Sequence, residues 1–299
     1  MTVIKLQLDW KPNAQFAGIL LAHHLGWYRR AGIELLIMPG QMLINPVDAL
    51  ERPENVIVSA DDNLLIRARD AGQAVKAIAA TLQFSAFGWM ALKESGIKEM
   101  SDLKGKRLGI HKDGEMALDI ALAHFNMNRA DLEIVEIGFD YADVLRSGRC
   151  DAIQGFVITE PAELEAEGLK IQTMPAYEWS YEAYGQVLGT TERFMATNSA
   201  EIIRFLRVTF DGWRQALRDP ERTSRIIATH YLTETKPGLE VRILEKIRPF
   251  LVGQVGLEKL GWMEKERWER SIEYLADCKL IDHRLLAEEV MTNKLIESI

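Results

Sequence analysis

The chain has 299 residues, 47% of them hydrophobic, and carries a formal net charge of −8 at a mean hydropathy of −0.09. That length holds two ordinary domains or one large one, and the acidic balance argues against a general pull toward nucleic acid or anionic membrane. No run approaches the roughly 20 apolar residues that a membrane-spanning helix needs.

Met1-Thr2 leads at once into the strand Val3–Leu8, with no signal peptide before it. The chain is therefore read either as cytoplasmic or as a mature form with a replaced start. The apolar strand runs into Asp9-Trp10-Lys11-Pro12-Asn13-Ala14-Gln15, and a helix follows to about Arg30. In open α/β sheets, ligands sit outside the carboxyl ends of strands. Trp10 there offers a stacking face, and Asn13 and Gln15 offer donors and acceptors to a flat polar ring. The same residues also suit a βα turn with a Trp capping the core, Asn13 bonding to its own backbone.

The next strand, Gly32–Met38, is ended by Pro39-Gly40. A helix around Pro46–Leu50 precedes the apolar run Asn55–Ala60, and Asp61 or Asp62 caps a helix to Ala71. Val75–Ala80 is a further strand, so repeated βαβ units and a parallel sheet are expected. A second series begins after Gly88. It contains apolar Trp89–Leu92, strand Arg107–His111, helix Met116–Asn126, strand Leu132–Ile137 and helix Tyr141–Ser147. Strand Asp151–Phe156, helix Pro161–Glu167 and strand Leu169–Met174 complete it.

From Thr191 the pattern becomes helical, over Ser199–Leu217, Pro220–Tyr231, Leu239–Val252 and Lys265–Cys278. This tail either forms a separate domain or wraps back on the first α/β unit.

Few residues suit catalysis. Cys150 and Cys278 fit no metal spacing; they read as buried apolar thiols, with a disulfide left open. His23 and His24 are adjacent rather than four apart, and no nucleophile elbow is present. The loop His111–Glu115 opens a helix, but Asp113 and Glu115 beside the single Gly114 disfavour a phosphate or sulfonate there.

Four stretches carry a family resemblance. The first is Leu8-Asp9-Trp10-Lys11-Pro12-Asn13 through Gly26-Trp27-Tyr28 to Gly32-Ile33, and the second is Gly88–Met90 and Lys93–Ile97 with Leu103–Gly109. The third is Gly148-Arg149-Cys150-Asp151-Ala152 continuing through Glu160 to Glu167-Gly168. The last is Phe205 through Gly212–Ala216 to Asp219-Pro220-Glu221, then Met263–Trp268 and Leu280–Asp282. In this order and spacing the chain resembles an NMT1/THI5-like (SsuA/THI5-like) solute-binding protein of ABC-transporter type, closest in pattern to binders of thiamine pyrimidine precursors.

The resemblance implies an α/β protein with the type II periplasmic-binding fold. Two lobes would be joined by crossover strands near Phe84–Met90 and Gly185–Thr190, with ligand in the cleft and closure by hinge motion. Lobe one would comprise residues 1–87 and 189–299, with the C-terminal helices packed on it, and lobe two residues 88–188. The implied ligand is a small aromatic heterocycle, a thiamine-precursor pyrimidine first, delivered to an ABC permease or a sensor module. A monomer is expected, periplasmic or extracellular in its mature form, with no catalytic residue, metal or cofactor.

Trp10, Asn13 and Gln15 are then cleft residues, joined by Asp61 (equally a helix cap), by Phe84 and Ser85 in the first crossover, and by Tyr181 or Tyr184 near Trp179 before the second. Glu160 is the sharpest expectation. Relatives that bind the pyrimidine carry a glutamate at this place, and a carboxylate facing a ring nitrogen and an exocyclic amine makes two directed bonds. The reading from the residues alone is a helix-start Glu before Pro161. Where those relatives are rich in aromatic and amide residues, this chain has Val157-Ile158-Thr159. The alternatives are a THI5-type pyrimidine synthase, or a binder of riboflavin or an alkanesulfonate. The synthase branch carries a CCCFC iron-site motif, whereas this chain has 2 cysteines.

Overall fold

The structure is a computed structural model and describes residues 1–41, 44–111, 114–179 and 182–299. In chain order the elements begin with strand β1 (Thr2–Gln7), helices α1 (Ala17–His24) and α2 (Trp27–Arg30), strands β2 (Ile33–Met38) and β3 (Val56–Ala60), helix α3 (Asp62–Asp70) and strand β4 (Val75–Leu82). Then come β5 (Phe87–Leu92), β6 (Arg107–Ile110), α4 (Glu115–His124), β7 (Glu133–Glu136), α5 (Tyr141–Arg146), β8 (Ala152–Phe156), α6 (Glu160–Ala166) and β9 (Ile171–Pro175). The chain closes with β10 (Gln186–Thr191), α7 (Glu192–Thr197), α8 (Ser199–Arg218), α9 (Pro220–His230), α10 (Pro237–Val252), α11 (Lys265–Asp277) and α12 (Ala287–Val290). The helix expected near Pro46 is a 3₁₀ turn over Pro46–Glu51, started by Asn45, whose side chain accepts from the Val47 N–H.

The chain divides into two compact units, residues 1–84 with 183–299, and residues 85–182. The boundaries expected from sequence, 87/88 and 188/189, fall inside β5 and β10. Each of those strands is hydrogen-bonded on both sides within one sheet, so β5 stays whole in the second unit and β10 in the first.

The first unit's sheet has the order β2-β1-β3-β10-β4, the second unit's the order β7-β6-β8-β5-β9. Both are mixed rather than parallel. β10 runs antiparallel to β3 and β4, and β5 antiparallel to β8 and β9. The reason is connectivity. Each of these strands enters its sheet at the edge where its neighbours end, so it runs against them.

In the first unit β3 is buried along its whole length and β4 nearly so, as expected for strands covered on both faces. The tail helices belong to this unit, with α8 packed on α1, α10 on α9, and α11 on α3. The crossing of α1 and α8 is unusually close. A Cβ on Gly212 would lie 2.1 Å from the Gly18 carbonyl oxygen, and one on Gly18 would lie 2.4 Å from the Trp213 ring. The buried Tyr28 hydroxyl is 2.7 Å from Thr209 Oγ1, joining α2 to α8. In the second unit Trp89 stacks on Trp179 at 5.5 Å, and Phe125 meets Trp179 edge-on at 5.3 Å.

Candidate functional site

In the first unit β1, β2, β3 and β4 share one direction, so Asp9-Trp10, Pro39-Gly40, Asp61 and Gln83-Phe84 follow carboxyl ends on one edge. Trp10 is half-buried, and its carbonyl accepts a hydrogen bond from the Gly40 N–H at 3.0 Å. A Cβ on Gly40 would sit 2.4 Å from the Leu8 carbonyl oxygen. Only glycine lets the chain after β2 close on this loop.

The residues just after Trp10 are spent on the loop itself. Asn13 Oδ1 accepts from the Gln15 N–H at 3.0 Å, starting a 3₁₀ turn, and both Asn13 and Gln15 are buried. Asn13 therefore takes the turn-forming role that its own sequence also allowed. Sequence reasoning overlooked Asp9. Its Oδ1 accepts from Ser59 Oγ at 3.0 Å and from Gln186 Nε2 at 3.4 Å, drawing on β3 and β10. Burial raises its carboxyl to about 6, against those hydrogen bonds. An aspartate immediately after a β-strand, with a small hydroxyl residue at the matching end of the neighbouring strand, was the available signal.

Asp61 is half-buried and stands at the start of α3, yet its side chain makes no capping bond to the helix. The buried carboxylate is the next one, Asp62, whose Oδ2 accepts from the Tyr184 N–H at 3.0 Å and from Ser271 Oγ at 2.8 Å. Desolvation raises its pKa.

Tyr184, expected as a cleft residue, is fully buried. Its hydroxyl accepts from the Glu264 N–H at 2.6 Å, and its ring stacks on Trp268 at 5.8 Å. The Arg267 guanidinium lies 4.0 Å from the Tyr184 ring centroid and 5.0 Å from that of Phe84, and it donates to the Gln83 carbonyl. Phe84 is half-buried and is thus held by a cation on one face.

In the second unit Ser85 Oγ accepts from the Phe87 N–H at 3.2 Å, shaping the turn into β5. Trp179 is buried in the aromatic cluster with Trp89. Tyr181 lies outside the described residues.

Glu160 opens α6, one turn beyond the carboxyl end of β8. Its side chain folds back over the strand, since a Cβ on Gly155 would be 3.6 Å from its Cδ. Its Oε2 is buried and has no hydrogen-bond partner. Desolvation is the main cause that pushes its carboxyl up to about 7. A buried carboxylate oxygen without a donor is costly, and a ligand N–H would relieve it.

On the same edge, after β6 and β7, stand His111 and Phe139, whose rings stack at 4.7 Å. The buried Gln154 accepts from the His111 N–H at 2.9 Å.

Among the described residues no group of three or more His, Cys, Asp or Glu is placed to hold a metal. Cys150 is buried, but Cys278 is exposed, correcting the expectation of two buried thiols. No helix among the described residues is long and apolar enough to cross a membrane.

The chain is 24% identical to the riboflavin-binding protein RibY of Chloroflexus aurantiacus, over 98% of this chain and 86% of that protein. It is 21% identical to the formylaminopyrimidine-binding protein of Halalkalibacterium halodurans, over 98% of this chain and 90% of that one. Identity to the 4-amino-5-hydroxymethyl-2-methylpyrimidine phosphate synthase of Legionella pneumophila is 25%, over 98% and 92% respectively. Named binding proteins and a named synthase both stand among its relatives.

In structure the chain is similar to the periplasmic aliphatic sulphonate binding protein SsuA of Escherichia coli, with a TM-score of 0.77, 15% identity and 99% of each chain covered. The fold is the type II periplasmic-binding fold, two α/β units with two connections and a helical tail on the first. The sequence model described as NMT1/THI5 like matches residues 13–223, and the chain belongs to that NMT1/THI5-like family.

Proposed function

We propose that the chain captures a small aromatic heterocycle, an aminopyrimidine of the thiamine-precursor type first, and passes it on unchanged to an ABC permease or a sensor module. The observation that carries this reading is the buried, partnerless Oε2 of Glu160. An exocyclic amine supplies the N–H that this oxygen lacks. In the first unit Trp10, half-buried at the edge of the sheet, has the ring to stack on a flat heterocycle, and Asp9 stands beside it as an acceptor. Two relatives named for binding riboflavin and a formylaminopyrimidine support a flat nitrogen heterocycle. Tyr184 drops out of the contact set, because it is fully buried with its hydroxyl taken up by the Glu264 N–H, and Asn13 does so because it is buried with its Oδ1 spent on its own turn.

Binding without conversion is favoured over synthase chemistry by the cysteines. Cys150 and Cys278 are the chain's two and belong to different units, whereas the synthase branch clusters its cysteines at an iron site. A mature form working outside the cytoplasm accords with the permease role. Isothermal titration with 4-amino-5-hydroxymethyl-2-methylpyrimidine tests the reading. Loss of a charge-assisted hydrogen bond in Glu160→Gln should weaken binding about tenfold or more. Unchanged affinity in that variant removes Glu160 as the anchor.

A further inference from the structure

We infer that His111 and Phe139 form a second stacking ledge in the binding surface of the second unit, selecting ligands whose ring system extends beyond a single pyrimidine. The inference rests on the proposed heterocycle binding and adds to it the size of the ligand. Phe139 is 54% exposed, a large apolar ring held at the surface. It is not loosely placed. Its ring stacks on His111 at 4.7 Å with 25° between the planes, and both rings meet Tyr141 edge-on, at 5.8 and 5.7 Å.

His111 is fixed at two points, its N–H donating to Gln154 Oε1 at 2.9 Å and its Nε2 lying 2.8 Å from the Tyr141 hydroxyl. The loop carrying Phe139 is braced as well. The Ile137 N–H donates to the Ile110 carbonyl at 3.2 Å, and Arg149 reaches Asp140 at 3.9 Å. A preorganised ring pair with one open face loses little order when a flat ligand settles on it.

Position supplies the rest. β7, β6 and β8 are consecutive neighbours in the sheet, and the ledge follows β6 and β7 as Glu160 follows β8. Two strand spacings separate β7 from β8, about 10 Å. That exceeds the width of one six-membered ring. A ligand anchored at Glu160 by an amino or ring N–H group thus reaches the exposed ring of Phe139, which follows β7, only through a second ring, fused or linked.

The test is isothermal titration of wild type, Phe139→Ala, Phe139→Tyr and Glu160→Gln with three probes: 4-amino-5-hydroxymethyl-2-methylpyrimidine, thiamine and riboflavin. Phe139→Ala should weaken a multi-ring probe about tenfold, the scale of one aromatic stacking contact, and Phe139→Tyr should restore it. The single-ring pyrimidine should change less than about twofold in Phe139→Ala, while Glu160→Gln weakens every bound probe. The ledge is refuted if neither multi-ring probe binds wild type, or if Phe139→Ala affects all probes alike or none. Wild type that binds none of the three refutes the underlying heterocycle reading itself. Because the Phe139 ring is mostly in water, its truncation should leave the unfolding midpoint of the unliganded protein near that of wild type.

Discussion

Glu240 Oε2 accepts a hydrogen bond from the backbone N–H of Ala14 at 2.6 Å, tying helix α10 to the loop that carries Trp10. The other oxygen of the same buried carboxylate accepts from Thr235 Oγ1 at 2.7 Å. Glu240→Ala leaves the Ala14 N–H buried without an acceptor, at a cost of about 1–3 kcal/mol. Denaturant unfolding should show that loss, and ligand affinity should fall with it because the Trp10 loop is no longer held. Full affinity in Glu240→Ala would mean that the loop keeps its shape without α10.

The close crossing of α1 and α8 gives a second prediction. Gly212→Ala places a methyl group 2.1 Å from the Gly18 carbonyl oxygen, and backbone on both sides has to move. Overpacking of this kind costs about 1–3 kcal/mol. The unfolding midpoint should drop, whereas Gly238→Ala, with nothing within 4 Å of the added carbon, should be close to neutral.

Tyr184 separates structure from binding. Tyr184→Phe removes the acceptor of the Glu264 N–H and should cost about 1–3 kcal/mol in stability. Ligand affinity, measured on the folded protein, should stay within about twofold, on the scale that a tenfold change is 1.4 kcal/mol. A large loss of affinity would return Tyr184 to the contact set.

Glu160 also sets a pH dependence. Its carboxyl is raised from 4.5 to about 7 in the folded protein, so the folded state binds the proton more tightly than the unfolded chain does. Stability from this group is fully present below about 4.5 and is lost as pH rises through about 7. At 1.36 kcal/mol per unit the loss is about 3 kcal/mol at most. Urea unfolding of the unliganded protein at pH 4.5 and 7.5 should show the fall, and Glu160→Gln should flatten it. Asp9, raised from 3.8 to about 6, adds a fall of the same sign in its own window.

Much of the fold could be read from residue order. Val56–Ala60 and Val75–Leu82 are unbroken apolar runs because both faces of those strands are covered, and the tail helices show their apolar spacing plainly. The directions of β5 and β10 could not be read, since a strand's apolar pattern is the same whichever way it runs. Side-chain roles were harder still. Asn13 and Tyr184 have the chemistry of ligand contacts, but whether a side-chain oxygen faces solvent or accepts from backbone depends on a few degrees of loop geometry. Asp9 went unnoticed because its partners, Ser59 and Gln186, are 50 and 177 residues away. Glu160 stood out only through the stretch around it, and its partnerless oxygen is a property of packing.

The most direct measurement is titration of the purified chain with 4-amino-5-hydroxymethyl-2-methylpyrimidine, riboflavin and an alkanesulfonate, followed by mass analysis of the recovered ligand. The account predicts saturable one-to-one binding of a heterocycle with a Kd of about 1 μM or tighter, near −8 kcal/mol, and recovery of the ligand unchanged. Saturable binding of the alkanesulfonate alone, or a chemically altered heterocycle, would contradict it.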